Sequence, residues 1–195
     1  MHPNALLELA TELLHQVLRF EAPADGVVSD FFRKQRQLGA RERFTLADTC
    51  FAVLRRRPLF QQLAQSGKGE MERRLALLAW QGNAAFLRAA LKPEELRWLE
   101  QVAAIDRDTL PERLRHNLPD WLAERLQADL GEEFWPLAES LNEPAGLDLR
   151  VNLLKAKRDD VQAALDLAGI AAVPTPYSPI GLRLAGKPAL HKAEV

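Results

Sequence analysis

LDLRVNLLKAK, residues Leu147 to Lys157, and its echo PTPYSPIGLRL, Pro174 to Leu184, decide the fold. In the first, Leu147, Leu149, Val151 and Leu153 alternate with Asp148, Arg150, Asn152 and Leu154. Period-two alternation over that length predicts a strand with one apolar face and one face carrying Arg150 and Asn152. A helix over Arg158 to Ala168 follows, with Asp159 and Asp160 suited to its positive N-terminus. Next come a short strand near Ile170 to Val173, a connector around Tyr177 restricted by Pro174, Pro176 and Pro179, and a strand over Gly181 to Leu184. Arg150, Asn152, Lys155, Lys157 and Arg158 crowd the start of this unit. Its outer side reads either as a cationic, hydrogen-bonding surface for RNA or as an ordinary edge strand with solvated charges.

Everything upstream reads as helices. Asn4 can cap a helix to Phe20, with Leu6, Leu9, Ala10, Leu13, Leu14, Val17 and Leu18 on one face. Glu21 to Val28 reads as a loop, and Ser29 as the cap of a short helix through Gln37 closed by Gly39. Arg41 to Arg57 is the next helix, with Phe44, Ala47, Phe51 and Leu54 as its stripe. Arg55, Arg56 and Arg57 in its last turn either complement the helix dipole or offer guanidinium forks to phosphate. Short helices continue over 58–65, 70–80, 84–91, 94–104, 112–117, 120–130 and 132–141. With the shortest of these segments, such as 58–65 and 112–117, set aside as a turn or two each, about seven to nine helices with short links argue for a compact helical bundle. Trp80, Trp98, Trp121 and Trp135 have apolar neighbours at helical spacing and read as core anchors. Asn142-Glu143-Pro144 marks the boundary, giving a helical domain over 1–143 and a small α/β subdomain over 144–195. The second, about fifty residues long, is small for independent stability.

Net charge is −1 over 195 residues, which does not advertise nucleic-acid binding. The balance hides a polarity, however. Arg33, Lys34, Arg36, Arg41, Arg43, Arg55, Arg56 and Arg57 face only Glu42 and Asp48 within their segment, whereas Glu94 to Glu143 is acidic in excess. One basic and one acidic face follow from that asymmetry. The single cysteine, Cys50, excludes an internal disulfide and a paired-cysteine metal site, and reads as a small core residue. No apolar run approaches the ~20 residues of a membrane span, and the N-terminus lacks a signal-peptide pattern, so the expected location is cytoplasmic.

The chemistry of a catalytic centre is missing. His2, His15, His116 and His191 are scattered without metal-ligand spacing, so no metal is expected. His116, beside Arg113 and Arg115, reads as a surface or interdomain hydrogen-bonding residue. SGKG at Ser66 to Gly69 lacks the spacing of a phosphate loop, and no GxGxxG follows a strand.

The run from Leu118-Pro119-Asp120-Trp121 through Leu141-Asn142-Glu143-Pro144-Ala145 to LDLRVNLLK, then PTPYSPIGLRL and GKPALHK, resembles the Sun (RsmB/Nop) family. These are S-adenosylmethionine-dependent RNA cytosine-5 methyltransferases acting mainly on ribosomal RNA. The resemblance is close from Arg113 to Lys192. It implies a NusB-like helical domain, then a small RNA-recognition-like α/β subdomain, with a Rossmann-like catalytic domain beyond Val195 as partner. The mechanism it implies, attack of a cysteine thiolate on the pyrimidine, belongs to that further domain, as does S-adenosylmethionine, so no catalytic residue is expected in this chain. Arg150, Val151, Asn152 and Lys155 match the family's first strand; Tyr177, Pro179, Gly181, Leu182 and Arg183 match its second. The resemblance implies RNA contact for Arg150, Asn152 and Lys155 and structural turn roles for Tyr177 and Gly181. A protein-interaction or assembly module, and a spacer carrying a catalytic domain, are the competing readings.

Overall fold

The computed structural model describes residues 1–186 together with Pro188 and Leu190. Lys187, Ala189 and His191 to Lys192 of the GKPALHK motif lie outside the described residues. The chain divides into two units, Met1–Asn142 and Glu143–Val195.

The first unit is helical: α1 (Pro3–Val17), α2 (Ala24–Lys34), α3 (Ala40–Arg55), α4 (Arg57–Ala64), α5 (Met71–Leu78), α6 (Ala84–Arg88), α7 (Pro93–Ala103), α8 (Glu112–His116), α9 (Asp120–Leu130) and α10 (Phe134–Asn142). Short 3-10 turns at Arg107–Thr109 and Gly131–Glu133 precede α8 and α10. Helix α1 is the centrepiece. Its Leu6, Leu7, Ala10, Leu13, Leu14 and Val17 are all buried, and it packs chiefly on α3 and α5. Leu46, Cys50 and Val53 of α3 and Leu75 and Ala76 of α5 close the same core. A smaller cluster of Ala123, Phe134 and Ala138 holds α9 to α10. There Asn142 is buried and donates from Nδ2 to the carbonyls of His116 (3.0 Å) and Ala138 (2.8 Å).

Several boundaries fall elsewhere than the sequence indicates, each for a local reason. His2, not Asn4, caps α1, because Pro3 occupies the first helical position and His2 Nδ1 accepts the Asn4 N–H at 3.3 Å. Helix α2 begins at Ala24, directly after Pro23, with Asp25 in its first turn, so 24–28 is helix and Ser29 lies inside it. Gly39 opens α3 instead of closing α2: its N–H donates to Glu42 Oε2 at 2.6 Å, one half of a capping box. The stripe of α3 is rotated, so Phe44 is 55% exposed while Thr45 and Thr49 are buried. Thr49 is tolerated there because its hydroxyl oxygen accepts the Gln81 N–H at 3.1 Å. The three arginines do not share a last turn. The chain bends at Arg56 (φ −120°, ψ 32°), and Arg57 starts α4.

Trp98 is a core anchor, its indole N–H donating to Ser66 Oγ at 2.9 Å. Trp121 is not: it is 69% exposed, because α9 buries only Ala123. His116 is likewise not at the surface. It is buried against Phe134 and Trp135, and its Nδ1 accepts the Leu118 N–H at 3.0 Å.

The second unit contains β1 (Leu147–Arg150), α11 (Arg158–Leu167), β2 (Ala172–Pro174) and β3 (Gly181–Leu184). The sheet order is β1-β3-β2, antiparallel throughout, with Leu149 opposite Leu182 and Ala172 opposite Leu184. Leu182, Leu184, Ala172, Val151 and Leu165 of α11 form its core. Strand β1 stops at Arg150, short of the expected Leu153. Leu153 and Leu154 face solvent in the turn that follows, at 60% and 96% exposure.

Burial holds the His116 imidazole below its ordinary pKa, against the opposing pull of Asp120 and Glu112. The unfolded chain therefore takes up the proton first. The stability this histidine contributes is complete above about pH 6.5 and is lost as pH falls through the lower folded-state value. All four tryptophans lie in the helical unit, so their emission reports its unfolding. The urea midpoint read this way should drop between pH 7 and pH 5, and His116→Gln should flatten that drop; equal slopes in the two proteins would refute it. The Cys50 thiol is 1% exposed and pushed up to about 12 by burial. Iodoacetamide should leave it unmodified at pH 8 in the folded chain and alkylate it once urea unfolds the helical unit.

Candidate functional site

The turn after β1 gathers the matched polar residues. Val151 N–H still donates to the Ile180 carbonyl at 2.9 Å, and then the chain leaves the sheet. Asn152 builds the turn. Its carbonyl accepts the N–H groups of Lys155 (2.9 Å) and Ala156 (3.1 Å), and its side-chain oxygen accepts that of Leu154 (3.1 Å). An asparagine bonding its own backbone two residues on is a standard turn former. Here it folds 152–156 back beside the start of α11. Leu149, Arg150, Val151, Asn152, Lys155, Ala156, Val161, Leu165 and Leu190 then line a cavity of about 470 Å³. Arg150, Asn152 and Lys155 are thus brought together, and Lys157 precedes α11 as its capping residue. Arg150, Lys155 and Lys157 are exposed and have no carboxylate partner among the described residues, whereas Arg158 Nε lies 3.2 Å from Asp159 Oδ1.

The open face of the sheet is a different matter. The register places Asp148, Arg183 and Val173 side by side on it. Arg183 grips Asp148 with two bonds, Nε to Oδ1 at 2.7 Å and Nη2 to Oδ2 at 2.8 Å. That fork holds the Asp148 carboxyl below its ordinary value and raises the Arg183 guanidinium. The face carries no aromatic side chain on β1, β2 or β3, so it lacks the stacking surface typical of sheets that bind single-stranded RNA. Of the two turn residues, Gly181 fits its role: a Cβ there would collide with Thr175 Oγ1 and lie 3.1 Å from Ser178 Cβ. Tyr177 does not pack at all, being 98% exposed.

In the helical unit the basic segment splits in two. Arg33, Lys34, Arg36, Arg41 and Arg43 lie around the α2–α3 junction. Arg55, Arg56 and Arg57 lie at the far end of α3, 16 residues or about 24 Å along the helix. Several of these cations are already used. Arg33 pairs with Asp30. Arg43 donates to the Leu38 carbonyl at 3.0 Å and lies over the Phe32 ring. Arg57 sits 4.7 Å over the ring of Phe20, a residue held at φ 54°. Lys34, Arg36 and Arg41 face solvent. Sequence reasoning misses Arg107, which approaches the second group from a distant 3-10 turn. Its own burial and the Arg56 charge both lower its pKa. Sequence distance gives no signal for that proximity.

One grouping among the described residues brings metal-ligand atoms together: His15, Glu70 and Glu72, within 4.8 Å of one another. His15 and Glu70 are exposed and His15 Nδ1 lies 3.8 Å from Glu72 Oε1, an arrangement common at surfaces without an ion. No helix among the described residues is long and apolar enough to cross a membrane.

Residues 118–191 match the ferredoxin-like domain of the RsmF/B-like methyltransferases. The chain carries a domain of the RsmF/B-like methyltransferase family. This is the family that the LDLRVNLLK and PTPYSPIGLRL motifs resemble. The matched region contains β1, its turn, α11, β2 and β3, and therefore every residue given above as lining the cavity. Two curated relatives are ribosomal RNA small subunit methyltransferase B of Xylella fastidiosa. That of strain Temecula1 is 34% identical over 167 residues, covering 74% of this chain and 39% of the relative. That of strain 9a5c is 30% identical over 177 residues, covering 74% and 40%. The chain thus spans about two-fifths of the length of these relatives. Among solved structures, that of PH0851 superposes with a TM-score of 0.64 at 15% identity, covering 100% of this chain and 51% of that one. At that identity the likeness is one of fold.

Gly181→Ala should disturb the β2–β3 connection by forcing Thr175 aside, a small-to-large cost of roughly 1–3 kcal/mol. Amide exchange at Leu182 and Leu184 should accelerate while the helical unit's amides stay protected; unchanged protection in β3 would show that the connector yields freely.

Proposed function

We propose that this chain is the RNA-positioning, N-terminal portion of an enzyme that methylates ribosomal RNA at cytosine C5. The observation that carries the reading is the cavity after β1. It has apolar walls, and Arg150 and Lys155 line it with no carboxylate among the described residues to neutralise them. Both curated relatives bear the name of a ribosomal RNA small subunit methyltransferase, which supplies the substrate class. Phosphate contacts from such cations fix register and orientation and carry no sequence information themselves.

The methyl donor in this reading is S-adenosylmethionine, held by residues other than these. Among the described residues the fit is poor. The turn leaving β1 is Leu153-Leu154-Lys155, not a glycine-rich one, and Gly69, Gly131, Gly169 and Gly186 at positive φ lie outside any strand-to-helix turn. Cys50 does not serve as the ring-attacking nucleophile either, since its thiol is buried and stays protonated at neutral pH. The contribution of this portion is therefore charge neutralisation and orientation of the RNA.

A second reading has its own observation. Leu154, Leu167 and Tyr177 of the second unit are 96%, 91% and 98% exposed, which suits a protein partner. Fluorescence anisotropy with a labelled single-stranded fragment of small-subunit ribosomal RNA separates the two. Each phosphate neutralised on a single strand adds about 0.7 to the slope of log affinity against log salt. The Arg150→Ala/Lys155→Ala double variant should therefore bind more weakly and lose about 1.4 from the slope. An unchanged affinity and slope would remove these two residues from the interface, and no binding at low salt would favour the protein-partner reading.

A further inference from the structure

We propose that the cavity beside the 152–156 turn receives the base of one unpaired nucleotide, with Lys155 and Arg150 on its phosphate. The inference rests on the RNA reading above and goes further by naming what enters the site.

Four features converge. The volume, about 470 Å³, lies within the roughly 300–1,000 Å³ of small-molecule sites and suits a single nucleotide better than a helix or strand of a partner. The walls are aliphatic: Leu149, Val151, Ala156, Val161, Leu165 and Leu190 offer apolar surface to the faces of a planar ring, and among the described residues no acidic side chain lines the space. The polar groups belong to the β1 end and the turn. Asn152 is held there because its oxygen accepts the Leu154 N–H. Its Nδ2 hydrogens are thereby left as donors without a partner among the described residues, matched to a base carbonyl oxygen. Finally, two cations at this place are uncompensated among the described residues: Arg183 is consumed by Asp148 and Arg158 by Asp159, while Arg150 and Lys155 have no such partner.

A nucleotide satisfies all four at once. Its base is flat and apolar on both faces, its carbonyl groups accept from an amide, and its phosphate takes the cations. A base paired in a duplex cannot enter, so the site selects single-stranded segments, which are the usual targets of RNA readers. An aliphatic side chain from a protein partner would fill the walls but leave Asn152 and the two cations unanswered.

The test uses the whole chain with labelled leucine and valine methyl groups, titrated with cytidine 5′-monophosphate and, separately, with inorganic phosphate. The nucleotide should shift the methyl resonances of Leu149, Val151, Val161 and Leu165, and phosphate should not. Ala156→Trp, which fills the space, should abolish those shifts and weaken binding of single-stranded RNA about tenfold, the scale of losing one base contact. If phosphate reproduces every shift, the site reads charge alone and the base pocket is wrong. If the nucleotide moves no wall methyl, or Ala156→Trp binds RNA as the parent does, the proposal also fails. Should Ala156→Trp not fold, the titration of the unaltered chain decides by itself. The outcomes separate the two levels: RNA bound without methyl shifts refutes only the pocket, whereas no RNA binding at low salt refutes the reading it rests on.

Discussion

Strand β3 is the constraint on which the second unit depends. It lies between β1 and β2, and its Leu182 and Leu184 are almost wholly buried. Because side chains alternate along a strand, fixing Leu182 and Leu184 against α11 also fixes Arg183 outward, opposite Asp148. A slip of one residue would bury that arginine and expose both leucines. Gly181 sets the start of this strand, since only a residue without Cβ passes so close to Thr175. The cavity is a downstream consequence. Its Leu149 wall faces inward because Leu149 pairs with Leu182, and its Val161 and Leu165 walls are placed by α11 packing on the same face.

The elements that the sequence makes plain are those with a single dominant periodicity. The stripe of α1 is largely legible because its apolar positions repeat at helical spacing: Leu6, Ala10, Leu13, Leu14 and Val17 are buried as the pattern indicates, Leu9 and Leu18 are half-buried, and Leu7 and Thr11 are buried beside them. The β1, α11 and β3 segments are legible because alternation, an acidic first turn and a glycine mark them. What is not legible depends on partners far away in sequence. Thr45 and Thr49 look polar, yet Thr49 is buried because Gln81 supplies its hydrogen bond. Trp121 looks like an anchor, yet α9 turns it outward because Ala123 is the contact with Phe134. His116 looks exposed beside two arginines, but the ring of Phe134 and the amide of Asn142 enclose it. Of the site, Arg150, Asn152 and Lys155 could be named from the strand pattern. Their convergence could not, because it is made by a turn that the alternation hides: Leu153 continues the pattern in sequence while the backbone has already left the sheet.

The near-zero net charge is a second case in which a global quantity conceals a local one. Several cations of the helical unit serve the fold. Arg73 and Glu95 form a bidentate pair at 2.6 and 3.1 Å, and Glu95 also accepts the Lys92 N–H that opens α7. Arg115 lies 4.4 Å over the Trp135 ring and reaches Asp108. A count of arginines therefore overstates the positive surface available to a polyanion. The proximity of Arg107 to Arg56 shows the opposite error: a local concentration of charge that no window along the chain contains.

These two effects bear on how such a small domain would hold RNA. A sheet that binds single strands usually stacks bases on aromatic side chains of its central strands. Here the central strand offers Arg183, and that arginine is saturated by Asp148. A saturated fork on an exposed face gives little to a phosphate, because binding one would first require breaking two short bonds. The uncompensated cations lie instead at the end of β1, where alternation stops and the turn begins. The chemistry has moved from the face of the sheet to its edge, next to aliphatic walls and away from any ring. In the proposed reading, contact there would be with one nucleotide at a time, and the sheet behind it would act as the support that keeps Asn152 and Lys155 in place.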